Sequence, residues 1–476
     1  MVFSSIIFLV YFLPVFLLSY YVAPKKLKNP VILLFSIFFY SWGAPKFIFV
    51  ILATTFLDFY LVRWMSKTPK RLYKRLMLTL SVSVNLGLLF YFKYSGFFIE
   101  NVDLVLTHLF HGQALGWTKL VLPLGISFYT FETITYVVDV YRGVHKPLNN
   151  FWNYQLYIIL FPKLIAGPIV RYNELADQIT DRAQNETTEN RLMGFYRFIL
   201  GLSKKVLIAN QMGALADSVF KSDYATLSTH AAWMGILAYT LQIYFDFSGY
   251  SDMAIGIARM IGFKFPENFE NPYVSQSITE FWRRWHMSLG RWMKNYLYIP
   301  LGGNRVDSRL RLYFNLWLVF LISGLWHGAS WNFVFWGAYH GTFLALERAF
   351  LLKIYDKIGK LFRTLLTFFI VVVGWVFFRV EKFGDALLYL KQMFVINTKK
   401  YPLQTDPEFY ALLFIALFFA FFAYFSRSQK LQDSIFTGNY SNKRHLLAAV
   451  LSMLLFIISI GTIAATGFNP FIYFKF

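Results

Sequence analysis

The chain has 476 residues, of which 57% are hydrophobic, 21% aromatic and only 15% charged. Soluble globular proteins carry about 25% charged residues, so this composition excludes an ordinary soluble protein. Many apolar runs reach or approach the roughly 20 residues that a helix needs to cross a bilayer, whereas a β-barrel would show short alternating segments. The predicted class is therefore an all-α polytopic membrane protein.

The formal net charge is +21. Lys and Arg gather in the cytoplasmic loops of membrane proteins, so we attribute most of this excess to topology and to contact with membrane lipid, and predict no nucleic-acid partner. The remaining positive charge could bind an anionic substrate. The sequence contains no cysteine, which excludes disulfides, Cys-ligated metal and a thioester formed on the protein itself.

The N-terminal apolar run precedes its positive charges, Lys25, Lys26 and Lys28. A cleaved signal peptide has the opposite polarity. Residues 3–22 are therefore predicted to form an uncleaved span whose N-terminus is extracytoplasmic. Residues 63–75 contain six basic residues and no acid, which marks a cytoplasmic loop. The predicted location is the inner, cytoplasmic membrane, which the chain crosses several times.

About eleven transmembrane helices are predicted within a single domain of residues 1–476, together with interfacial and re-entrant helices. The predicted spans are residues 3–22, 30–43, 47–62, 76–92, 120–143, 231–250, 312–325, 331–347, 364–380, 408–425 and 447–466. Residues 95–118 are expected at the outer interface, and residues 194–220 in a helix interrupted by Lys204 and Lys205. Residues 157–172 contain two prolines and a glycine, so a broken or re-entrant segment is expected there.

Two acids interrupt the apolar run of residues 120–143. Glu132 and Asp139 are functional candidates, because carboxylates at membrane depth are expensive. The alternative is a local structural pair, which we favour for Asp139 because Arg142 follows it closely.

Residues 277–300 are crowded with Arg, Lys and Trp. Ser277 and Glu280 form a capping-box pattern, so a helix is predicted to begin there. At about 100° per residue one side of this helix is aromatic and the other is basic, which is typical of an interfacial helix. The basic side consists of Arg283, Arg284, Arg291 and Lys294. These cations are candidates for contacts with donor phosphates, and ordinary headgroup binding is the alternative.

His327 ends an otherwise apolar run. Basic residues before residue 312 and after residue 347 predict that the flanking helices enter and leave on the cytoplasmic side, which places His327 at the tip of a hairpin. Gly324 and Gly328 allow close backbone approach there. A histidine at this tip can act as a general base near neutral pH, and a packing role is the alternative that we keep for His340. The histidines lack compact ligand spacing, so no metal site is predicted.

Six segments resemble the membrane-bound O-acyltransferase family, and specifically its bacterial alginate O-acetylation branch. They lie in the expected order within a motif-rich core of residues 120–345. The segments are GISFYTFETITYVVDVYRG, FPKLIAGPIVRY, YFDFSGYSDMAIG, FPENFENPY, SITEFWRRWHMSLGRWMKNYLYIPLGGNR and SGLWHGASWNF.

The resemblance implies a ring of tilted helices around a central tunnel. It also implies that His327 is catalytic and that His286 belongs to the functional site. Trp326, beside His327, and Asp246, in the YFDFSGYSDMAIG segment, join the candidate donor-binding residues. The implied donor is an acyl thioester, usually acetyl-CoA, with no resident cofactor. The implied acceptor is an extracytoplasmic polysaccharide, either alginate-like or peptidoglycan, often acetylated with a separate extracytoplasmic acetyltransferase as partner.

Two other functions stay open on the sequence. A D-alanyl transferase for teichoic acids is a close relative by resemblance, and would take its acyl group from a carrier protein. A proton-coupled transporter belongs to another class and would use His327, Asp246 and Glu132 as a proton relay. We find no internal repeat, which gives no support to a transporter built from related halves.

Overall fold

A computed structural model describes residues 1–110, 112–118, 120–396, 403, 405, 407–437, 440–467 and 470–472. These residues are helical or irregular and include no strand, so the predicted all-α fold is confirmed. Six helical runs are long and apolar enough to cross a membrane: Ile48–Lys67, Arg71–Leu109, Arg309–His327, Lys360–Arg379, Pro407–Tyr424 and Asn442–Thr466. The total of eleven spans, the central tunnel and the single domain stay predictions.

The chain divides into two compact units. The first unit consists of Met1–Gly194 and Ile257–Pro266. Its α-helices are α1 Leu13–Val22, α2 Lys28–Gly43, α3 Ile48–Lys67, α4 Arg71–Leu89, α5 Ser95–Leu109, α6 Ile126–Tyr141, α7 Phe151–Ile159, α8 Phe161–Leu164 and α9 Tyr172–Thr180. Short π-helical segments cover Ile7–Phe12 and Phe90–Tyr94, and 3₁₀ turns cover Lys25–Leu27 and Ala183–Asn185.

The second unit consists of Phe195–Gly256 and Glu267–Phe476. The remaining α-helices are α10 Thr188–Ser203, α11 Asn210–Phe220, α12 Thr229–Met260, α13 Ile278–Arg284, α14 Met287–Met293, α15 Arg309–His327, α16 Trp331–Leu346, α17 Leu352–Tyr355, α18 Lys360–Arg379, α19 Phe383–Phe394, α20 Pro407–Ala420, α21 Ser426–Thr437 and α22 Asn442–Thr466. The π-helical segments here are Lys204–Ala209, Lys294–Tyr298 and Glu347–Leu351, and the 3₁₀ turns are Tyr224–Thr226, Pro272–Val274 and Phe422–Tyr424. Helices α10 and α12 contribute residues to both units.

The helix of the span predicted at residues 76–92 continues beyond residue 92. Helices α4 and α5 are joined through the π-helical segment Phe90–Tyr94 into one run of 39 residues. The intervening sequence contains no proline, so nothing in it interrupts the backbone hydrogen bonding of a helix. The interruption at Lys204 and Lys205 takes a similar form, because π-helical turns begin at that pair without ending the helix.

The broken segment predicted at residues 157–172 is present. Helix α7 ends at Ile159, the short α8 follows, and Gly167 adopts φ +112° before α9 begins. Glu132 and Lys163 form an ion pair within this first unit, and both side chains are fully buried. Glu132 therefore has a buried structural partner, and the sequence prediction had named none for it.

Helices α15 and α16 form the predicted hairpin and pack closely along their length. A Cβ atom built on Gly324 would overlap the backbone oxygen of Phe333, and one on Gly337 would overlap that of Phe320. The close backbone approach predicted at Gly324 is thus confirmed. Since the connection is only three residues long, this contact fixes where the last turn of α15, and hence His327, is placed.

Candidate functional site

The basic, aromatic stretch begins as predicted but is not one helix. The Ser277 hydroxyl accepts a hydrogen bond from the backbone N–H of Glu280 at 3.0 Å, which confirms the N-cap. Helix α13 then ends at Arg284, and α14 begins at Met287 after His286 adopts the left-handed backbone conformation with φ +45°. The single interfacial helix predicted for residues 277–300 is therefore wrong.

Asn268, in the loop before α13, explains the break. Its backbone oxygen accepts from the N–H of Met287 at 2.9 Å, and its side-chain oxygen accepts from the N–H of Ser288 at 3.3 Å and the Ser288 hydroxyl at 2.8 Å. A residue 20 positions away thus supplies the acceptors for the first turn of α14. Because this contact is tertiary, helical periodicity could not reveal it.

The same asparagine determines which nitrogen of His286 carries the proton. Since the backbone N–H of Ser288 can only donate, the Asn268 atom that it faces is the amide oxygen, and the amide nitrogen donates to the Ser251 hydroxyl at 3.0 Å. His286 Nδ1 lies 3.1 Å from that oxygen and must donate to it. The hydrogen-bond network therefore assigns Nδ1–H and an unprotonated Nε2.

His286 is only 1% exposed. Its Nε2 has no hydrogen-bond partner among the described residues. Burial lowers the pKa of His286 from 6.5 to about 3, because desolvation disfavours the charged ring. The imidazole is therefore neutral at physiological pH and presents a buried acceptor lone pair.

His327 lies in the same aromatic cluster as His286. It is the last residue of α15 and is buried. The ring centroid of His327 lies 6.4 Å from that of His286, 5.0 Å from Trp326, 5.2 Å from Trp336 and 5.2 Å from Phe378. The structure thus brings together the two histidines predicted as catalytic, with Trp326 6.1 Å from His286. His340 stacks edge-on against Trp336, as its packing role requires.

A cavity of about 730 Å³ lies between the α13–α14 segment and helices α15 and α16. His286 lines this cavity, and so does Ser323, one turn before His327 in α15, whereas His327 itself is not among the lining residues. The cavity falls within the ~300–1,000 Å³ typical of small-molecule sites. Its cationic lining residues are Arg283, Arg291, Lys294 and Arg348.

Three of the four predicted cations line this cavity. Arg283 and Lys294 are exposed, and no ion pair to either is formed within the described part of the chain. Arg291 donates to the backbone oxygen of Glu267 at 3.2 Å. Arg284 is not among the lining residues, and its guanidinium forms an ion pair with Glu280 at 2.9 Å. Sequence reasoning missed Arg348, whose position across the cavity depends on the hairpin.

Asp246 lies in a second buried polar group of the same unit. Its carboxylate pairs with Lys205 at 3.0 Å and accepts from the backbone N–H of Ile472 at 3.0 Å. Lys205 also donates to the backbone oxygen of Pro470 at 3.2 Å. Asp246 is not among the residues that line the 730 Å³ cavity, so its role in donor binding stays a prediction.

Residues 470–472 pack against α12. Phe471 is 1% exposed and stacks on Tyr250 with a centroid separation of 4.6 Å. It also lies 5.9 Å from Phe247, whose ring meets His286 edge-on at 4.7 Å. Phe247 thus separates this segment from the histidine.

Glu347 anchors the start of α13. Its carboxylate accepts from the backbone N–H of Thr279 at 2.8 Å and from the Thr279 hydroxyl at 2.6 Å. A carboxylate at a helix N-terminus is electrostatically favourable. No group of three or more His, Asp or Glu side chains placed to hold a metal ion occurs within the described ranges.

The sequence model of the membrane-bound O-acyltransferase (MBOAT) family matches residues 3–379 of the chain. The chain belongs to the membrane-bound O-acyltransferase family. It is an acyltransferase, so the transporter alternative is set aside. The family resemblance carried by the six segments is confirmed by this match, which covers most of the chain.

Three relatives of this membrane-bound O-acyltransferase differ in the group or acceptor that their names state. A probable alginate O-acetylase AlgI of Azotobacter vinelandii is 40% identical, with 100% of both chains covered. A peptidoglycan O-acetyltransferase of Helicobacter pylori is 39% identical over 83% of this chain and 80% of its own. A teichoic acid D-alanyltransferase of Bacillus subtilis is 28% identical over 49% of this chain and 60% of its own.

Proposed function

We propose that this acyltransferase takes an acetyl group from acetyl-CoA at the cytoplasmic surface and transfers it for O-acetylation of an extracytoplasmic polysaccharide. The observation that carries the proposal is the convergence of two buried histidine rings, 6.4 Å apart, of which that of His286 lines a cavity whose wall also carries cations. The two relatives at about 40% identity, named for alginate and peptidoglycan O-acetylation, support an acetyl group and a polysaccharide acceptor.

His327 acts as the general base in this mechanism. It removes the proton from an acceptor hydroxyl, and the resulting oxygen attacks the thioester carbonyl carbon. The new C–O bond forms as the C–S bond breaks, and the leaving thiolate takes the proton back from the imidazolium. Since the chain contains no cysteine, direct transfer is simpler than a covalent relay, which would need a hydroxyl or the histidine itself.

His286 supplies a hydrogen-bond acceptor in this mechanism. Its Nε2 lone pair is buried and is directed by the Asn268 contact at Nδ1. A neutral nitrogen that accepts a hydrogen bond can orient the substrate hydroxyl towards the carbonyl carbon of the donor. It does so without adding charge to an apolar site.

The cationic lining of the cavity binds the phosphates of the donor. Arg283 and Lys294 are exposed, so they can meet an anion from the water phase. Arg provides bidentate contacts to phosphate and Lys a compact charge. The donor phosphates would rest on these side chains while the thioester extends towards the histidines.

The proposed acceptor chemistry has consequences for location and partners. We place the protein in the inner, cytoplasmic membrane with its N-terminus extracytoplasmic, as the distribution of basic loops predicts. An extracytoplasmic acetyltransferase is the proposed partner that completes transfer to the polymer.

D-alanyl transfer is the second candidate function. It is favoured only by the relative at 28% identity over 49% of this chain.

The proposed transfer to a polysaccharide hydroxyl is tested with His327→Ala in cells. O-acetylation is measured by mass spectrometry of envelope polysaccharides. Loss of a general base lowers the rate by about 10²–10⁴-fold, so O-acetylation should disappear while the protein remains folded and inserted. His230→Ala is the matched control, because His230 is exposed at the start of α12. Full acetylation by the His327 variant would contradict the mechanism.

The donor half is tested in isolated membranes with acetyl-CoA labelled in the acetyl group. Arg283→Gln should raise KM for acetyl-CoA by roughly tenfold, the effect of one lost charge-assisted hydrogen bond, with little change in kcat. Arg309→Gln is the control, since Arg309 is exposed and does not line the cavity. Transfer from a D-alanyl carrier instead of acetyl-CoA would favour the second candidate.

A further inference from the structure

The first unit contains a second cavity, of about 1,060 Å³, beside the start of α2. One end is lined by charged and amide side chains, and the other by apolar side chains of α2 and by Trp152. None of its lining residues also lines the 730 Å³ cavity or has a role in the chemistry proposed above.

The polar end is built on a buried arginine. Arg182 is 5% exposed and donates to the Asn29 side chain at 2.7 Å and to the backbone oxygen of Ile261 at 3.0 Å. Lys28 pairs with Glu186 beside it. These contacts satisfy the inner charges and fix the floor of the cavity.

The outer part of the polar end carries two lysines whose charges are not neutralised by buried partners. Lys25 and Lys26 are both exposed. Lys25 meets Asp181 at 3.3 Å, and both side chains of this pair are more than half exposed, so water screens the pair and it opens readily. No hydrogen bond or ion pair to Lys26 is formed within the described residues. The lining carries four cations and two carboxylates, which leaves it net positive.

Helix α2 adds to this potential. Its first residues, Lys28, Asn29 and Pro30, line the cavity, and no side chain caps the helix. Pro30 has no N–H, but the other free N–H groups in the first turn of this 16-residue helix carry partial positive charge, which favours an anion at this end.

The apolar end follows one side of α2. Leu33, Leu34 and Ile37 line it together with Trp152 from the start of α7. Leu34 is 65% exposed and Trp152 is 60% exposed, so large apolar surface is left without a protein neighbour next to a cationic pocket. A ligand that covers both ends needs an anionic head and a hydrocarbon tail.

We infer that this cavity binds an anionic phospholipid. The headgroup phosphate rests against Lys25, Lys26 and the start of α2, and an acyl chain lies along Leu34 and Trp152. A free phosphate ester shares the head chemistry but leaves the apolar end uncovered. A zwitterionic lipid covers the apolar end but offers no net negative charge to the lysines.

The test uses the purified full-length chain in detergent, with retained lipid counted by native mass spectrometry. Phosphatidylglycerol and phosphatidylcholine with identical acyl chains are compared at equal concentration. We expect phosphatidylglycerol to be retained preferentially, and the double variant Lys25→Gln/Lys26→Gln to lower its retention about tenfold. The control is Lys67→Gln/Lys70→Gln, which removes two exposed lysines of the same unit that lie outside the cavity.

Two further arms identify the source of the phosphate and the role of the apolar end. Glycerol 1-phosphate in excess should not displace the lipid, and Leu34→Asn should lower retention of both lipids. Equal retention of the two lipids, equal loss in both lysine variants, or displacement by glycerol 1-phosphate would each overturn the inference. All four lysines are exposed, so folding is not at risk in either variant.

Discussion

At the scale of single residues, Asn268 governs the chemistry of His286. It holds Nδ1–H through its amide oxygen, and its amide nitrogen is held in turn by Ser251. A histidine fixed in this way offers Nε2 to whatever enters the cavity. The orientation of the ring and its tautomer therefore depend on one side chain outside the aromatic cluster.

Asn268→Asp tests this control through the pH dependence of stability. In the wild type the folded-state pKa of His286 is about 3, below its ordinary 6.5, so unfolding takes up a proton as pH falls. This histidine therefore makes stability decline below about pH 6.5, with a slope of at most about 1.4 kcal/mol per pH unit. A carboxylate at residue 268 keeps the acceptor but stabilises the imidazolium, so we expect a smaller decline.

The measurement is the thermal unfolding midpoint in detergent at pH 7 and pH 5. Asn268→Ala is the companion variant, because it removes the acceptor and adds no charge. It should lower the midpoint at both pH values, since the Ser288 N–H and His286 Nδ1–H lose their partner at a cost of about 1–3 kcal/mol each. An unchanged decline in Asn268→Asp would refute the assigned role of Asn268.

The sequence predicted the catalytic candidates His286 and His327 but not the residues that position them. Those two histidines were found through quoted motifs, and the structure brings their rings together. Asn268 lies in one of the same motifs, FPENFENPY, and its signal was therefore present. What it contacts depends on a loop returning to α14, and spacing along the chain does not contain that information.

At the scale of elements, the α15–α16 hairpin sets the position of His327. Gly324 and Gly337 let the two backbones approach more closely than any side chain would permit. The helix that ends in the candidate base is thereby held against its partner three residues before that base.

Gly324→Ala should destabilise the protein and lower activity together. The added methyl would overlap the backbone of Phe333, and overpacking typically costs about 1–3 kcal/mol. Gly87→Ala is the matched control, since Gly87 lies within α4 and a Cβ there meets nothing within 4 Å. Because alanine favours helices by up to about 1 kcal/mol, this control should not lower the unfolding midpoint. Equal midpoints for the two variants would contradict the close approach.

Proline and glycine positions in the sequence predicted some structural elements, whereas other elements were not predicted. The broken segment at residues 157–172 and the hairpin were predictable, because proline and glycine act on the backbone where they stand. The break before His286 and the continuous run from Arg71 to Leu109 were missed. The first depends on a distant asparagine, and the second on the absence of any residue that stops a helix.

At the scale of the whole molecule, the orientation in the membrane follows only from charge. Composition alone predicted the class, because the charged fraction of 15% lies well below the roughly 25% that is typical of soluble globular proteins. The positions of basic loops predict that residues 63–75 face the cytoplasm and residues 95–118 the outside.

The absence of cysteine makes that orientation measurable. Ser66→Cys and Gln113→Cys place single thiols at exposed positions in the two predicted compartments. In cells stripped of their wall, a membrane-impermeant maleimide should label Gln113→Cys at once and Ser66→Cys only after permeabilisation. Labelling of Ser66→Cys in intact cells would reverse the predicted orientation, and the unmodified chain reports background labelling.

The contact of Asp246 with Ile472 joins two residues that are synthesised far apart in time. They are separated by 226 positions, which takes roughly 10–45 s at ordinary rates of synthesis. Throughout that interval Asp246 and Lys205 must be inserted and held without their final partner. Assembly of the second unit is therefore completed late, and premature termination upstream of Pro470 would leave a buried charge pair without the backbone groups that satisfy it.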